Sequence, residues 1–192
     1  PNMHVWRRCD AVETIACWCH AIENNSGPSS LVLTRQKLEH QERTQSQIQA
    51  ISKGGYILKD SEKTPEIILI ATGSEVGITM GAARMLELEN ISVRVVSMPC
   101  AELFDMQEDN YKLSVLPETV KCRLAIEAGV TNYWWQYVGS SGDVIGIDTF
   151  GLSAPADELF EYFGFSSNNI LERSKSLIEK NKNLEPQTFT SN

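Results

Sequence analysis

The sequence predicts an α/β protein: a mostly parallel, doubly wound sheet flanked by helices, preceded by the β-α-β end of another α/β unit. Three observations carry this. Short apolar runs alternate with helical patterns from Val5 onward, which implies strands joined by crossover helices. The run Glu66–Thr72 is apolar on both faces, as a central parallel strand must be. Gly54-Gly55 closes a polar stretch and opens a second set of strands.

The elements follow in order. Val5–Arg7 reads as the end of a strand. Asp10 is an N-cap, with Glu13 completing a capping box. The next helix places Val12, Ile15, Ala16, Cys19 and Ile22 at helical spacing, which predicts its buried face. Asn24–Pro28 is a turn, and Ser29–Leu33 a short strand that stops at Thr34, with Arg35 at once behind it. Gln41–Lys53 is polar and reads as a linker, so one boundary falls between 53 and 54. Beyond it, strands are expected at Tyr56–Leu58, Glu66–Thr72, Val93–Ser97, Cys122–Glu127 and within Gly142–Asp148. Helices are expected at Val76–Leu88, Glu102–Tyr111, Ala156–Phe163 and Asn168–Glu179, with a polar tail after Lys180.

Bulk composition narrows the function. With 42% hydrophobic and 22% charged residues the chain is that of an ordinary globular protein. A net charge of −8 argues against nucleic acid as the partner, because phosphate backbones need a basic face. No apolar run is long enough for a membrane span. Pro1–Glu13 lacks the apolar core of a signal peptide, and the absence of a first methionine suggests a segment of a longer protein. Five irregularly spaced cysteines fit free thiols in a reducing, cytoplasmic setting.

Arg35 is the leading candidate site. In open α/β sheets ligands bind outside the carboxyl ends of strands, and a guanidinium there can present its planar fork to a phosphate or carboxylate. A surface ion pair would also explain it. Cys17-Trp18-Cys19-His20 looks like a metal site, but residues two apart on a helix point away from each other, so packing is the better reading. Thr72–Glu75 joins a strand to a helix start; Ser74 reads as a cap and Glu75 would repel an anion. Glu127 ends an apolar strand as a buried or paired carboxylate. Tyr133, Trp134, Trp135 and Tyr137 form an aromatic cluster for core or interface. His4, His20 and His40 have no triad-like neighbours, and His40 reads as a solvated loop residue.

Many blocks in one order resemble transketolase. They are Arg7-x-x-Asp10-x-x-Glu13, Gly27–Gln36 with Gln41–Thr44, Gly54-Gly55-Tyr56, Ala71–Val76, Val93–Pro99, Ser114–Pro117, Glu127-Ala128-Gly129, Tyr137-Val138-Gly139, and Phe150-Gly151-x-Ser153–Ala156. Arg8 departs from the pattern, since the family usually has proline there. The resemblance implies that residues 1–53 are the end of the pyrimidine-binding domain plus a linker, and that 54–192 are the transketolase C-terminal domain. It implies transfer of a two-carbon ketol unit between sugar phosphates, in a cytoplasmic homodimer using thiamine diphosphate and Mg²⁺ or Ca²⁺. In such enzymes the arginine that matches Arg35 holds the substrate phosphate.

No cofactor-holding residue is expected within this chain, which alone should be inactive. Gly142-Asp143 followed by Asn168-Asn169 has the spacing of a thiamine diphosphate metal motif, but Val144 replaces the second glycine and Asn168 suits a helix start. Two other readings stay open: a related thiamine-dependent enzyme, of the 1-deoxyxylulose-phosphate synthase or pyruvate dehydrogenase type, or a non-catalytic dimerisation or anion-binding module. The Thr34-Arg35-Gln36 and Ser97-Met98-Pro99 blocks favour transketolase.

Overall fold

In the computed structural model, which describes residues 2–184, two sheets meet end to end. The first has two parallel strands, β1 (His4–Arg7) and β2 (Ser29–Val32), joined through helix α1 (Ala11–Glu23). The second has five strands: β3 (Tyr56–Lys59), β4 (Ile67–Ala71), β5 (Val93–Ser97), β6 (Arg123–Ile126) and β7 (Asp143–Ile145). Their spatial order is β3-β5-β4-β6-β7, parallel except for the antiparallel edge strand β3. The chain passes from β4 outward to β5, then returns to the other side of β4 as β6. Such a reversal opens a crevice between the carboxyl ends of the two inner strands.

Every residue of β4 is buried, because helices cover both faces. Ile67, Leu69 and Ala71 face a core shared with α3 (Glu75–Leu88) and the last helix, α8 (Ser167–Leu184). Ile68 and Ile70 face a second core, with α4 (Ala101–Asp105), α5 (Asp109–Val115) and α6 (Trp135–Val138). The period of two along the strand sorts the side chains between them. Helix α7 (Ala156–Tyr162) precedes α8.

The first 53 residues share the first of these cores. Trp6, Cys9, Cys17 and Ile51 are buried in one cluster with Tyr56, Leu58 and Val95. The carboxyl end of β1 abuts the larger sheet: Arg7 N–H donates to Pro99 O at 2.8 Å, and Gly73 N–H donates to Arg7 O at 3.3 Å.

Several expectations need correction. Gln41–Lys53, expected only as a polar linker, holds α2 (Gln45–Ala50) and a 3₁₀ turn, Ile51–Lys53. A Thr44–Gln47 capping box starts that helix, and Gly54 at φ 85° ends the turn, where a Cβ would meet Cys100 O at 2.2 Å. Of the expected face of α1, Val12 and Ala16 pack against the core, but its fully buried residues are Glu13 and Cys17, whereas Ile15, Cys19 and Ile22 are exposed. The helix follows its 3.6-residue period, but the larger domain lies on the side of a buried carboxylate. Glu102–Tyr111 divides into two helices at Gln107. The strand inside Gly142–Asp148 is only Asp143–Ile145. Helix α8 runs on to Leu184, and the tail from 185 lies outside the described residues.

Candidate functional site

Arg35 sits three residues beyond the end of β2, on an irregular segment over 33–40. Gln36 N–H donates to Thr34 Oγ1 at 3.1 Å and closes the bend. The Arg35 side chain is exposed, and its guanidinium has no carboxylate partner among the described residues. A surface ion pair therefore does not account for it.

Two clefts flank this segment. One, of about 190 Å³, lies at the reversal point of the larger sheet, between the ends of β4 and β6. Gly73, Ser74, Glu75, Glu127 and Ala128 form one wall; Arg7, Arg8 and Val32–Thr34 form the other. Glu127 is a paired carboxylate: Arg7 Nε lies 3.0 Å from its Oε1, and Trp134 Nε1 donates to its Oε2 at 2.6 Å. That bond places Trp134 in the core, while Tyr133 and Trp135 remain on the surface. Ser74 stands at the N-cap of α3, as the sequence indicates, but makes no side-chain cap bond; its hydroxyl donates to Glu75 Oε1 at 2.7 Å.

Glu75 is buried, and burial, with Glu127 adding repulsion, pushes its carboxyl up to about 7 against the pull of the Ser74 hydroxyl and the Ala128 amide. In the unfolded chain the same group titrates near 4.5. Between those values the folded state holds a proton that the unfolded state lacks, so stability falls as pH rises through the window. The gap between about 7 and 4.5 corresponds to about 3 kcal/mol. Glu75→Gln should therefore stabilise the chain by about 2–3 kcal/mol near pH 8 and change little near pH 4.5. Thermal melts across pH check this, and equal effects at both ends would refute the buried, proton-holding carboxyl.

The second cleft, of about 230 Å³, lies between the 33–40 segment and the turn from β1 to α1, and is lined by Arg8, Asp10, Ala11, Thr14, Thr34, Gln36 and Leu38. Asp10 caps α1 as expected, accepting from Glu13 N–H at 3.1 Å, but Glu13 does not complete a capping box, since its carboxylate accepts from Cys9 N–H instead of Asp10 N–H. Asp10 does more than that. Its Oδ2 accepts from Gln41 N–H at 3.0 Å and from Arg43 Nη1 at 2.6 Å. Burial alone would raise this carboxyl, but Arg43 and the two amides hold it below the usual range.

Glu13, fully buried, accepts from Cys9 N–H at 2.7 Å, from the Tyr56 hydroxyl at 2.8 Å and from the Ser97 hydroxyl at 2.6 Å. Arg43 Nε donates to the Tyr56 hydroxyl at 2.7 Å, and Arg43 Nη2 stands 3.6 Å from Glu13 Oε1. Burial and the Glu13 charge push the Tyr56 hydroxyl far up, which keeps it a donor. Burial raises the Cys9 thiol as well, so it is no nucleophile.

This network joins residues from 9 to 97, and only its Asp10–Glu13 corner was visible in the sequence. The Thr44-x-x-Gln47 signature could have revealed α2; nothing in the pattern marked Arg43 as buried.

The remaining candidates fall to structure. Cys17 is buried and Cys19 exposed, on opposite faces of α1. His20 leaves Cys17 for His4, with Nε2 and Nδ1 3.2 Å apart. His40 is exposed on the loop, 3.5 Å from Asp10 Oδ2. At the start of α8, Ser166 rather than Asn168 makes the cap, accepting from Asn169 N–H at 3.2 Å, and Asn169 Nδ2 donates to Gly164 O at 2.7 Å.

The comparisons with known proteins agree with these features. The family model described as the transketolase-like TK C-terminal domain matches residues 54–166. Transketolase 1 of Aliivibrio fischeri is 53% identical over 178 residues, covering 93% of this chain and 27% of the relative. Transketolase 1 of Escherichia coli is 48% identical over the same share. Among solved structures, Pichia stipitis transketolase in complex with sedoheptulose-7-phosphate superposes with a TM-score of 0.87 at 39% identity, covering 95% of this chain and 26% of that one. The chain thus spans about a quarter of the length of the relatives it matches. With the family model matching most of the larger domain and near-half identity along almost the whole length, the chain belongs to the transketolase family, as its carboxy-terminal portion.

Proposed function

We propose that this chain serves within a transketolase that moves a two-carbon ketol unit from a ketose phosphate to an aldose phosphate, and that Arg35 grips the substrate phosphate. The observation that carries the reading is the exposed Arg35 guanidinium, without a carboxylate partner among the described residues, in the segment that matches the family motif and directly after Leu33 and Thr34, which line the cleft at the strand carboxyl ends. Thiamine diphosphate supplies the carbanion chemistry when bound. Among the described residues no group of three or more His, Cys, Asp or Glu side chains could hold its divalent metal, Mg²⁺ or Ca²⁺. The reading assigns that metal and its cofactor to parts of the longer protein outside this chain, including a partner subunit in a cytoplasmic homodimer. The complex with sedoheptulose-7-phosphate in the Pichia stipitis relative supports sugar phosphates as substrates. The net charge of −8 speaks against a nucleic-acid partner. No helix among the described residues is long and apolar enough to cross a membrane.

We place the domain boundary between residues 53 and 54. The five strands of the larger sheet all fall within Tyr56–Ile145, and the family match begins at residue 54. Residues 54–184 should therefore fold alone, with a lower Tm than the whole chain because Trp6, Cys9, Cys17 and Ile51 leave the core. Circular dichroism and amide exchange read this directly, and a molten product would move the boundary upstream.

The function is tested by replacing the matching 178-residue stretch of the Escherichia coli relative with this chain. The chimera should carry out ketol transfer with sugar phosphates, and the chain by itself should not. A folded chimera that binds cofactor yet transfers nothing would refute the assignment, as would turnover by the chain alone.

A further inference from the structure

The irregular segment that carries Arg35 is held at both ends by one turn. At its start, Arg8 Nη1 donates to the carbonyl of Val32, the last residue of β2, at 3.0 Å. At its end, Asp10 Oδ2 accepts from Gln41 N–H at 3.0 Å, while Arg43 Nη1, bound to the same oxygen, also donates to Gln41 O at 2.7 Å. Arg8 and Asp10 are two residues apart in the turn from β1 to α1. The turn is itself fixed: Arg8 Nε donates to Thr14 Oγ1 at 2.8 Å, and that hydroxyl donates to Asp10 O at 2.7 Å. Arg8 and Asp10 are buried, whereas Arg35 and most of its segment are exposed, with a cleft of about 230 Å³ beneath.

We infer that Arg8 and Asp10 are positioning residues: together they set where the Arg35 guanidinium stands, and so the affinity for the phosphate end of the substrate. This rests on the reading of Arg35 as the phosphate anchor. The physical argument is entropic. An unsupported segment of this length would spread its arginine over many positions, each immobilised residue costing free energy that substrate binding would have to supply. Two buried donor–acceptor clamps, each charge-assisted, remove that cost before the substrate arrives. The first clamp depends on the side-chain donor of Arg8, and the second, through Asp10, does not.

The test uses the chimera described above, with Arg8→Ala, Asp10→Asn and Arg35→Ala made separately. The readout is the ratio of KM for a phosphorylated ketose donor to KM for hydroxypyruvate, which has no phosphate. Loss of either clamp should raise this ratio about 3- to 10-fold, with kcat for the phosphorylated donor falling less than KM rises. Arg8→Lys should recover part of the effect, since an ammonium can still donate to one carbonyl. Amide exchange over 33–41 should quicken in both clamp variants, which also serves if Asp10→Asn proves too unstable to assay. If Arg35→Ala raises the ratio while neither clamp variant does, and exchange is unchanged, the inference fails and the anchor stands. If Arg35→Ala itself leaves the ratio unmoved, the anchor fails and the inference falls with it.

Discussion

Arg35→Ala in the chimera lowers kcat/KM for a phosphorylated ketose donor by about 10- to 150-fold, and changes that for hydroxypyruvate little. The range follows from the roughly 1.5–3 kcal/mol that a hydrogen bond to a charged group contributes. The direction follows from the structure. The guanidinium is exposed and has no carboxylate partner among the described residues, so its removal should cost the fold almost nothing. Arg35→Lys should recover only part of the loss, because an ammonium cannot present a planar fork to a phosphate. Equal losses with both donors would mean that Arg35 supports the fold or the cofactor site. No loss with either would make it a plain surface arginine.

The larger sheet was legible because its strands are buried on both faces. Ile67–Ala71 is an apolar run that no amphipathic helix would show, and the structure has it as the central parallel strand β4, with Val93–Ser97 beside it as β5. The face of α1 is only partly legible: Val12 and Ala16 pack against the core as apolar residues should, but the rule fails for their neighbours. Glu13 points into the protein, and Ile15 and Ile22 point out. A buried carboxylate can stand in a core only where donors surround it, and Tyr56 and Ser97, which supply two of them, lie 43 and 84 residues away. No local pattern encodes such a meeting. Helix α2 was missed for a different reason: Gln-Ser-Gln-Ile-Gln-Ala has too little apolar contrast to show a period, and only its capping box betrays it. Arg35 was legible through the motif around it. The clamps that hold its segment were not, since Arg8 and Asp10 became neighbours of 32 and 41 only on folding.

Arg43→Met should destabilise the chain by about 3–5 kcal/mol, the usual cost of removing one partner from a buried ion pair. The Arg43 side chain is 1% exposed, and its carboxylate neighbours Asp10 and Glu13 are 2% and 0% exposed, so solvent cannot take over when it goes. Asp10 would keep the Glu13 and Gln41 amides and the exposed His40 ring 3.5 Å from its Oδ2. Glu13 would keep its three hydrogen bonds but lose the nearby cation that balances its charge. Methionine matches the length of the lost stem, which separates the charge from the packing. The double variant Asp10→Asn with Arg43→Met should then cost less than the two single changes added, because the second removes a charge that the first has already left unpaired.

Acid supplies the independent check. The Asp10 carboxyl is held below its unfolded value of 3.8, so its contribution is full above that pH and is lost as pH falls through the lower folded value. With Arg43 absent, only the Glu13 and Gln41 amides pull the carboxyl down against burial, so it is held less low. Stability of the Arg43→Met chain should therefore fall less steeply below about pH 4 than that of the parent. Denaturant midpoints read at about pH 7 and pH 3 give both numbers. Additive costs and parallel acid slopes would mean that Arg43 acts as filler between the two sheets rather than as the charge that balances Asp10 and Glu13.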